Sequence, residues 1–357
     1  MPNPNAVVST VLGVEPHDEG GSVVALDEGR SVRLDPEDAR SPAFARILED
    51  VSRARVPVYL EVEPPTSRIT RILIPLVARV VAVRPGDDDG LVVELEPSHA
   101  RHVLSRSSAD FEELAGKLRD AERAKDPVIL TEDDAHEIID VRPYTGAASG
   151  AVASPFRPER SRWHRWWPIR WLCWLLWWWL GCVSQSRAQQ VFNAMAATTC
   201  DPTTVPPPCI PFLYPDDGCW GRAHEMCRLM LNMNLRPKKV WIQGNLHVQT
   251  RNNPTCNVYW GWHVAPWLCV RGPGLFQTQA MVIDPALFTT PVTKQAWKGV
   301  QGDPNATLTD SAASIFYLFT NQTDPTYALT NQVLVTYRLQ LQLRTASYGP
   351  PPYANCP

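Results

Sequence analysis

Eight of the chain's fourteen tryptophans fall between Trp163 and Trp179, and this tract divides the sequence into two unlike halves. From Trp171 to Val183 run 13 uncharged, almost wholly apolar residues; extension back to Trp166 gives 18 but admits Pro168 and Arg170. A single bilayer crossing wants about 20 apolar residues, so Trp163–Val183 reads as a short membrane-spanning or interfacial segment. The competing reading is a buried core helix, in which so many adjacent indoles would pack badly. Arg157, Arg160, Arg162, Arg165 and Arg170 precede the tract, whereas only Arg187 follows closely. That asymmetry predicts a membrane-anchored or exported protein, with the N-terminal module cytoplasmic and the C-terminal half outside.

Charge and cysteine content divide at the same place. Residues 1–150 hold 28 acidic and 17 basic residues, while residues 151–357 hold 9 and 17. The net charge of −3 argues against a nucleic-acid partner, whose phosphates demand a basic surface. All nine cysteines lie at or beyond Cys173. The expected organisation is a small acidic α+β or β-barrel-like module over 1–142, a linker over 143–162, the tryptophan-rich segment over 163–183, and a further domain over 190–357.

In the first half, strand-like runs occur at Val58–Val62, Ile69–Val83 and Leu91–Leu95, the last two joined by a Pro85–Gly90 turn that predicts a hairpin. Asp110 opens a helix through Leu118, and the acidic run Glu132–Asp134 reads as a helix start and solvated face. His99 and His102 have no metal partners at ligand spacing and read as a solvated loop pair.

The second half carries chemistry. Asp217 is a good N-cap for a helix in which Cys219 lies in the first turn, where free amides and the macrodipole lower a thiol pKa. His263 sits at the centre of the aromatic strand Asn257–Val270. Asp284 ends the next strand and is held by Pro285, well placed to accept from an imidazole on the neighbouring antiparallel strand. The gaps of 44 and 21 residues suit a helix-borne thiol facing two strands of one sheet. His224 and His247 read as packing or surface residues. Gln332–Arg344 alternates and predicts a final strand. A zinc site lacks any Cys-x-x-Cys or His-x-x-x-His pair, and no cofactor is called for. Of the remaining thiols, Cys200, Cys209 and Cys356 are the better disulfide candidates, with Cys227 and Cys269 buried thiols.

Asp217-Gly-Cys-Trp-Gly-Arg-Ala-His224, Trp241-Ile-Gln-Gly-Asn-Leu246, Trp262-His-Val-Ala265, Ile283-Asp-Pro-Ala-Leu-Phe288, Pro291-Val-Thr293 and Trp297, in this order, resemble bacterial protein-glutaminase. The resemblance covers Pro211 to Trp297. It implies an α+β, papain/transglutaminase-like core that deamidates glutamine side chains of protein or peptide substrates, with Cys219 as nucleophile, His263 as general acid/base and Asp284 as orienting carboxylate. Secreted members carry a pro-segment that blocks the cleft, and residues 1–150 share no motif with one. Two alternatives stand beside deamidation. One is transglutaminase-type acyl transfer to amines. The other is a membrane-tethered, non-catalytic binding module presenting Trp260-Gly-Trp262. A papain-like protease fits less well, because its His follows its Cys by about 130–150 residues.

Overall fold

The computed structural model describes residues 5–17, 20–86, 89–144, 181–203, 209–274 and 276–357. The tryptophan tract as far as Leu180, the linker from residue 145 on, and turn residues Asp87 and Asp88 lie outside them.

Strands β1 (Ala6–Pro16), β2 (Ser22–Leu26), β3 (Ser31–Leu34), β4 (Pro57–Glu63) and β5 (Arg68–Leu73) close into a barrel of order β1-β2-β3-β5-β4. The helix α1 (Ser41–Ala54) buries Phe44, Ile47, Leu48 and Val51, a stripe at i, i+3, i+4 and i+7, in the barrel core. The run expected as one strand from Ile69 breaks at Pro75, whose missing N–H cannot join a ladder, and resumes as β6 (Leu76–Pro85). β6 and β7 (Leu91–Glu96) form the expected antiparallel hairpin. With β8 (His102–Leu104), β9 (Pro127–Glu132) and β10 (Ile138–Pro143) they make a sheet of order β10-β9-β6-β7-β8, covered by α2 (Phe111–Ala124). Glu132 is the last residue of β9, not a helix start on a solvated face. Its carboxylate is held by His102 and His136, and Asp134 pairs with Arg344.

In the second half α3 (Gln185–Ala196) and α4 (Cys219–Asn232) lie against an antiparallel sheet. Its strands are β11 (Lys238–Gln249), β12 (Asn257–Arg271), β13 (Thr278–Val282), β14 (Val292–Thr293) and β15 (Thr307–Ala312), in the order β14-β13-β12-β11-β15. The short α5 (Lys294–Gly299) and the ribbon of β16 (Ile315–Tyr317) and β17 (Gln322–Thr323) complete it.

The expected last strand is instead a 21-residue helix, α6 (Ala328–Tyr348). Tyr337 and Leu341 enter the core shared by the second sheet with Tyr214, Trp220 and Trp262. Leu339 and Leu343 enter the barrel core, and Leu334 packs with α3. A helix clasped by three cores needs apolar residues all round, which erases the 3.6-residue signature and lets alternation mimic a strand.

Among the described residues three disulfides join Cys182–Cys269, Cys200–Cys209 and Cys256–Cys356, leaving Cys219 and Cys227 free and buried. Cys269 is therefore not a buried thiol. Cys182 and Val183, expected at the end of the membrane segment, belong to the domain, since Val183 also bridges to Val270. Among the described residues no helix is long and apolar enough to cross a membrane.

Because α6 joins the cores, Leu341→Ala should destabilise the whole chain by about 2–5 kcal/mol. Denaturant unfolding monitored by tryptophan fluorescence and far-UV circular dichroism should show one shifted transition. Two separated transitions would show that α6 does not couple the halves.

Candidate active site

The backbone turns into α4 at Gly218, which has φ +82°, a left-handed conformation that glycine adopts without strain. A Cβ there would lie 2.3 Å from the Tyr337 ring, so the position also requires the absence of a side chain. Gly218, not Asp217, is the N-cap, and no side chain caps the helix. The Asp217 carboxylate is instead spent on tertiary contacts. Its Oδ1 accepts from the amides of Gly218 at 2.9 Å and His99 at 3.0 Å. Its Oδ2 accepts from Ser98 Oγ at 2.7 Å and from the Tyr337 hydroxyl. One carboxylate thereby ties α4, α6 and the N-terminal half together.

Cys219 is the first residue of α4 and is buried. His263, also buried, lies on β12 and donates from Nε2 to Asp284 Oδ2 at 2.9 Å. Trp297 Nε1 donates to the same oxygen at 2.8 Å. Asp284 follows the end of β13, which pairs antiparallel with β12, so the carboxylate meets the imidazole across adjacent strands. Trp260 stacks on the His263 ring at 4.6 Å, with the planes 18° apart. Burial works against ionised Asp284, but the hydrogen bonds from His263 and Trp297 hold its carboxyl below the usual range. The three residues expected at the site therefore meet in one buried place.

A fourth residue is there too. His99, from the N-terminal half, is 1% exposed rather than solvated. Residues 99–101 lie along the free edge of β12 as an isolated antiparallel bridge. Gly261 N–H donates to His99 O, Arg101 N–H donates to Tyr259 O, each at 3.0 Å, and Ala100 bridges Trp260. The His99 ring donates from Nδ1 to Trp262 O at 3.0 Å, and Nε2 faces the Cys219 amide at 3.5 Å. One ligand-type atom from each of His99, Cys219 and His263 lies within 4.8 Å of the other two. Trp260 and Trp262, taken as an exposed aromatic patch in the binding-module reading, are 2% and 8% exposed and form the walls around these rings. His102 is fully buried and connects Glu132 to Ser98 Oγ, hence to Asp217. His224 packs against Lys239 Nζ, and His247 stacks on Tyr259, as packing residues.

Burial dominates the electrostatics. It pushes the Cys219 thiol well above its ordinary value and outweighs the nearby Arg222 guanidinium, so the helix start does not yield a thiolate in this arrangement. It also lowers His99 strongly and His263 despite its Asp284 partner, leaving a neutral thiol between neutral imidazoles. The pair is held together but electrically silent.

Nothing in local sequence spacing pointed to His99, which is 120 residues from Cys219. The available signal was chemical: two histidines, His99 and His102, three positions apart in a module that has no other evident use for them.

Residues 188–301 match the Glutaminase family model. No curated protein is a match. Among solved structures, pro-protein-glutaminase is 22% identical with a TM-score of 0.52, over 80% of this chain and 99% of that one. The A47Q2 mutant of pro-protein-glutaminase is 23% identical with a TM-score of 0.50, over 75% and 94%. Protein-glutaminase is 31% identical over 44% of this chain and 89% of that chain, with a TM-score of 0.39. Residues 181–357 are only half of this chain, so the match to pro-protein-glutaminase takes in much of the N-terminal half as well. The want of a shared motif in residues 1–150 therefore conceals a shared fold.

Tyr337→Phe removes one of the four donors to buried Asp217 and should cost about 1–3 kcal/mol. It should also loosen the docked segment and speed iodoacetamide alkylation of Cys219. Since the thiol pKa is raised, alkylation of the wild type should be slow near neutral pH and climb only above the range in which an ordinary cysteine ionises. Fast neutral-pH alkylation of the wild type would contradict the buried-thiol description.

Proposed function

We propose, since the C-terminal half of this chain belongs to the protein-glutaminase family of glutamine-amide hydrolases, that it deamidates glutamine side chains exposed on other proteins and that its N-terminal half holds it latent. The observation that carries this reading is the posture of residues 99–101. They bridge the edge of β12 through backbone hydrogen bonds and set the His99 side chain against Cys219 and His263, where a substrate would present a glutamine.

With that segment withdrawn, water and substrate reach the cleft, and the thiol is relieved of the desolvation that keeps it neutral. Transfer of its proton to His263 gives a thiolate–imidazolium pair, stabilised by ionised Asp284 behind the ring. The thiolate attacks the γ-carboxamide carbon, and the Cys219 amide, which now faces His99 Nε2, donates to the developing oxyanion. His263 returns the proton to the departing ammonia, leaving a thioester. A water deprotonated by His263 then cleaves the thioester, giving glutamate and regenerating the thiol.

The three disulfides fit an oxidising compartment. The two halves bury residues against each other, so both belong on the same side of any membrane while folded in this way.

The test is ammonia release from a glutamine-rich protein by the chain cut at a protease site introduced between Tyr144 and Gly181. Cys219→Ala should abolish release, and Asp284→Asn should lower kcat by about 100-fold or more through loss of the imidazole's orientation. Equal release by Cys219→Ala would sink the mechanism. Incorporation of a primary amine without net ammonia loss to water would replace hydrolysis by acyl transfer.

A further inference from the structure

The active-site thiol lies between two imidazoles that come from opposite halves of the chain. Each imidazole has one nitrogen already anchored. His99 donates from Nδ1 to Trp262 O at 3.0 Å, and His263 donates from Nε2 to Asp284 at 2.9 Å. Those bonds fix the tautomers and leave lone pairs on His263 Nδ1 and on His99 Nε2, the latter held only by a long 3.5 Å contact from the Cys219 amide and lying 3.4 Å from Asp217 Oδ1. The Nδ1 of His263 is buried and has no hydrogen-bond partner, an expensive condition for a polar atom. The sulfur and one nitrogen of each ring lie within 4.8 Å of one another. The edge of a tetrahedron with Zn–N near 2.1 Å and Zn–S near 2.3 Å is about 3.4–3.6 Å, so the ligand atoms need close in by no more than about 1.4 Å to seat the ion.

We propose that His99, Cys219 and His263 form a binding site for a zinc-class divalent cation, which locks the N-terminal half onto the catalytic cleft. Two neutral imidazoles and a thiol are a borderline-soft donor set that zinc prefers to magnesium or calcium. The supporting shell is present as well: a carboxylate behind one histidine and a backbone carbonyl behind the other, as in established carboxylate–histidine–zinc arrangements. On binding, the metal takes the sulfur as thiolate and one proton leaves to solvent. The thiolate, Asp284 and Asp217 offset the cation and the neighbouring Arg222 guanidinium.

No sequence spacing announces such a site, because its three ligands come from the loop before β8, the start of α4 and the middle of β12. The second buried cluster, His102, Glu132 and His136, is a poorer candidate, since both imidazoles already spend Nδ1 on the Glu132 carboxylate.

The metal site rests on geometry alone, whereas its role as a latch rests on the deamidase reading. A metal holding both the nucleophile and the general base would bar turnover. It would also add a bond to the docked segment, so removing the metal and withdrawing residues 99–101 would be linked events.

The test uses the full chain, disulfides intact, titrated with Co²⁺. Wild type should bind one equivalent, with an intense near-ultraviolet thiolate-to-cobalt band and the visible bands of a tetrahedral ion, both removed by one equivalent of Zn²⁺. Cys219→Ser and His99→Ala, each checked for native circular dichroism, should lose the thiolate band, and His247→Ala should keep it. No thiolate band in the wild type would overturn the proposal, whatever the variants do. A band that survives in His99→Ala would likewise overturn it, because the two halves would then not share the ion. The cobalt spectrum requires no turnover, so a failed ammonia assay leaves this result standing and a failed titration leaves deamidation standing.

Discussion

The Asp217 carboxylate accepts four hydrogen bonds in a site from which water is excluded, and the arrangement of the halves depends on it. A buried carboxylate is costly unless every lone pair is used. Here the donors are supplied by the Gly218 amide just before α4, by the last helix, and by the segment of the N-terminal half that carries Ser98 and His99. Moving that segment out would withdraw the Ser98 hydroxyl and the His99 amide together. Docking and burial of the thiol are thus a single event.

A second tier of charge stands behind the first. Arg344, on the last helix, reaches Asp216 with its guanidinium nitrogens and Asp134 of the N-terminal half at 2.8 Å. Glu132 holds His102 and His136, and burial and Glu132 act on His136 in opposite senses, with the carboxylate prevailing and the imidazole raised to about 9. The interface between the halves is therefore a polar network enclosed by apolar cores. Such a network sets one docking geometry, because any slippage strands a buried charge.

Local chemistry was legible in the sequence; long-range partnership was not. Cys219 at a helix start, His263 on a central strand and Asp284 at the next strand's end could be placed from turn, cap and alternation signals, because each is set by its immediate neighbours. The hairpin across Pro85–Gly90 was legible for the same reason. Asp217 was read as a helix cap because capping is local, while its actual partners lie 118 and 120 residues away. The last helix was read as a strand because three surrounding cores removed its amphipathic period. His99 was read as solvated because no periodicity reports that a loop will be inserted into another domain's cleft. The high thiol pKa follows from that insertion, so it could not be inferred from the helix start alone.

The same segment that bridges the edge of β12 also places the His99 ring against Cys219, and the proposed latency rests on that contact. The decisive measurement is the rate of ammonia release from a glutamine-rich protein by the wild-type chain before and after the link between Tyr144 and Gly181 is cut and the N-terminal half removed. The uncut chain should be silent and the cut chain should release ammonia. Equal rates before and after cutting would contradict it.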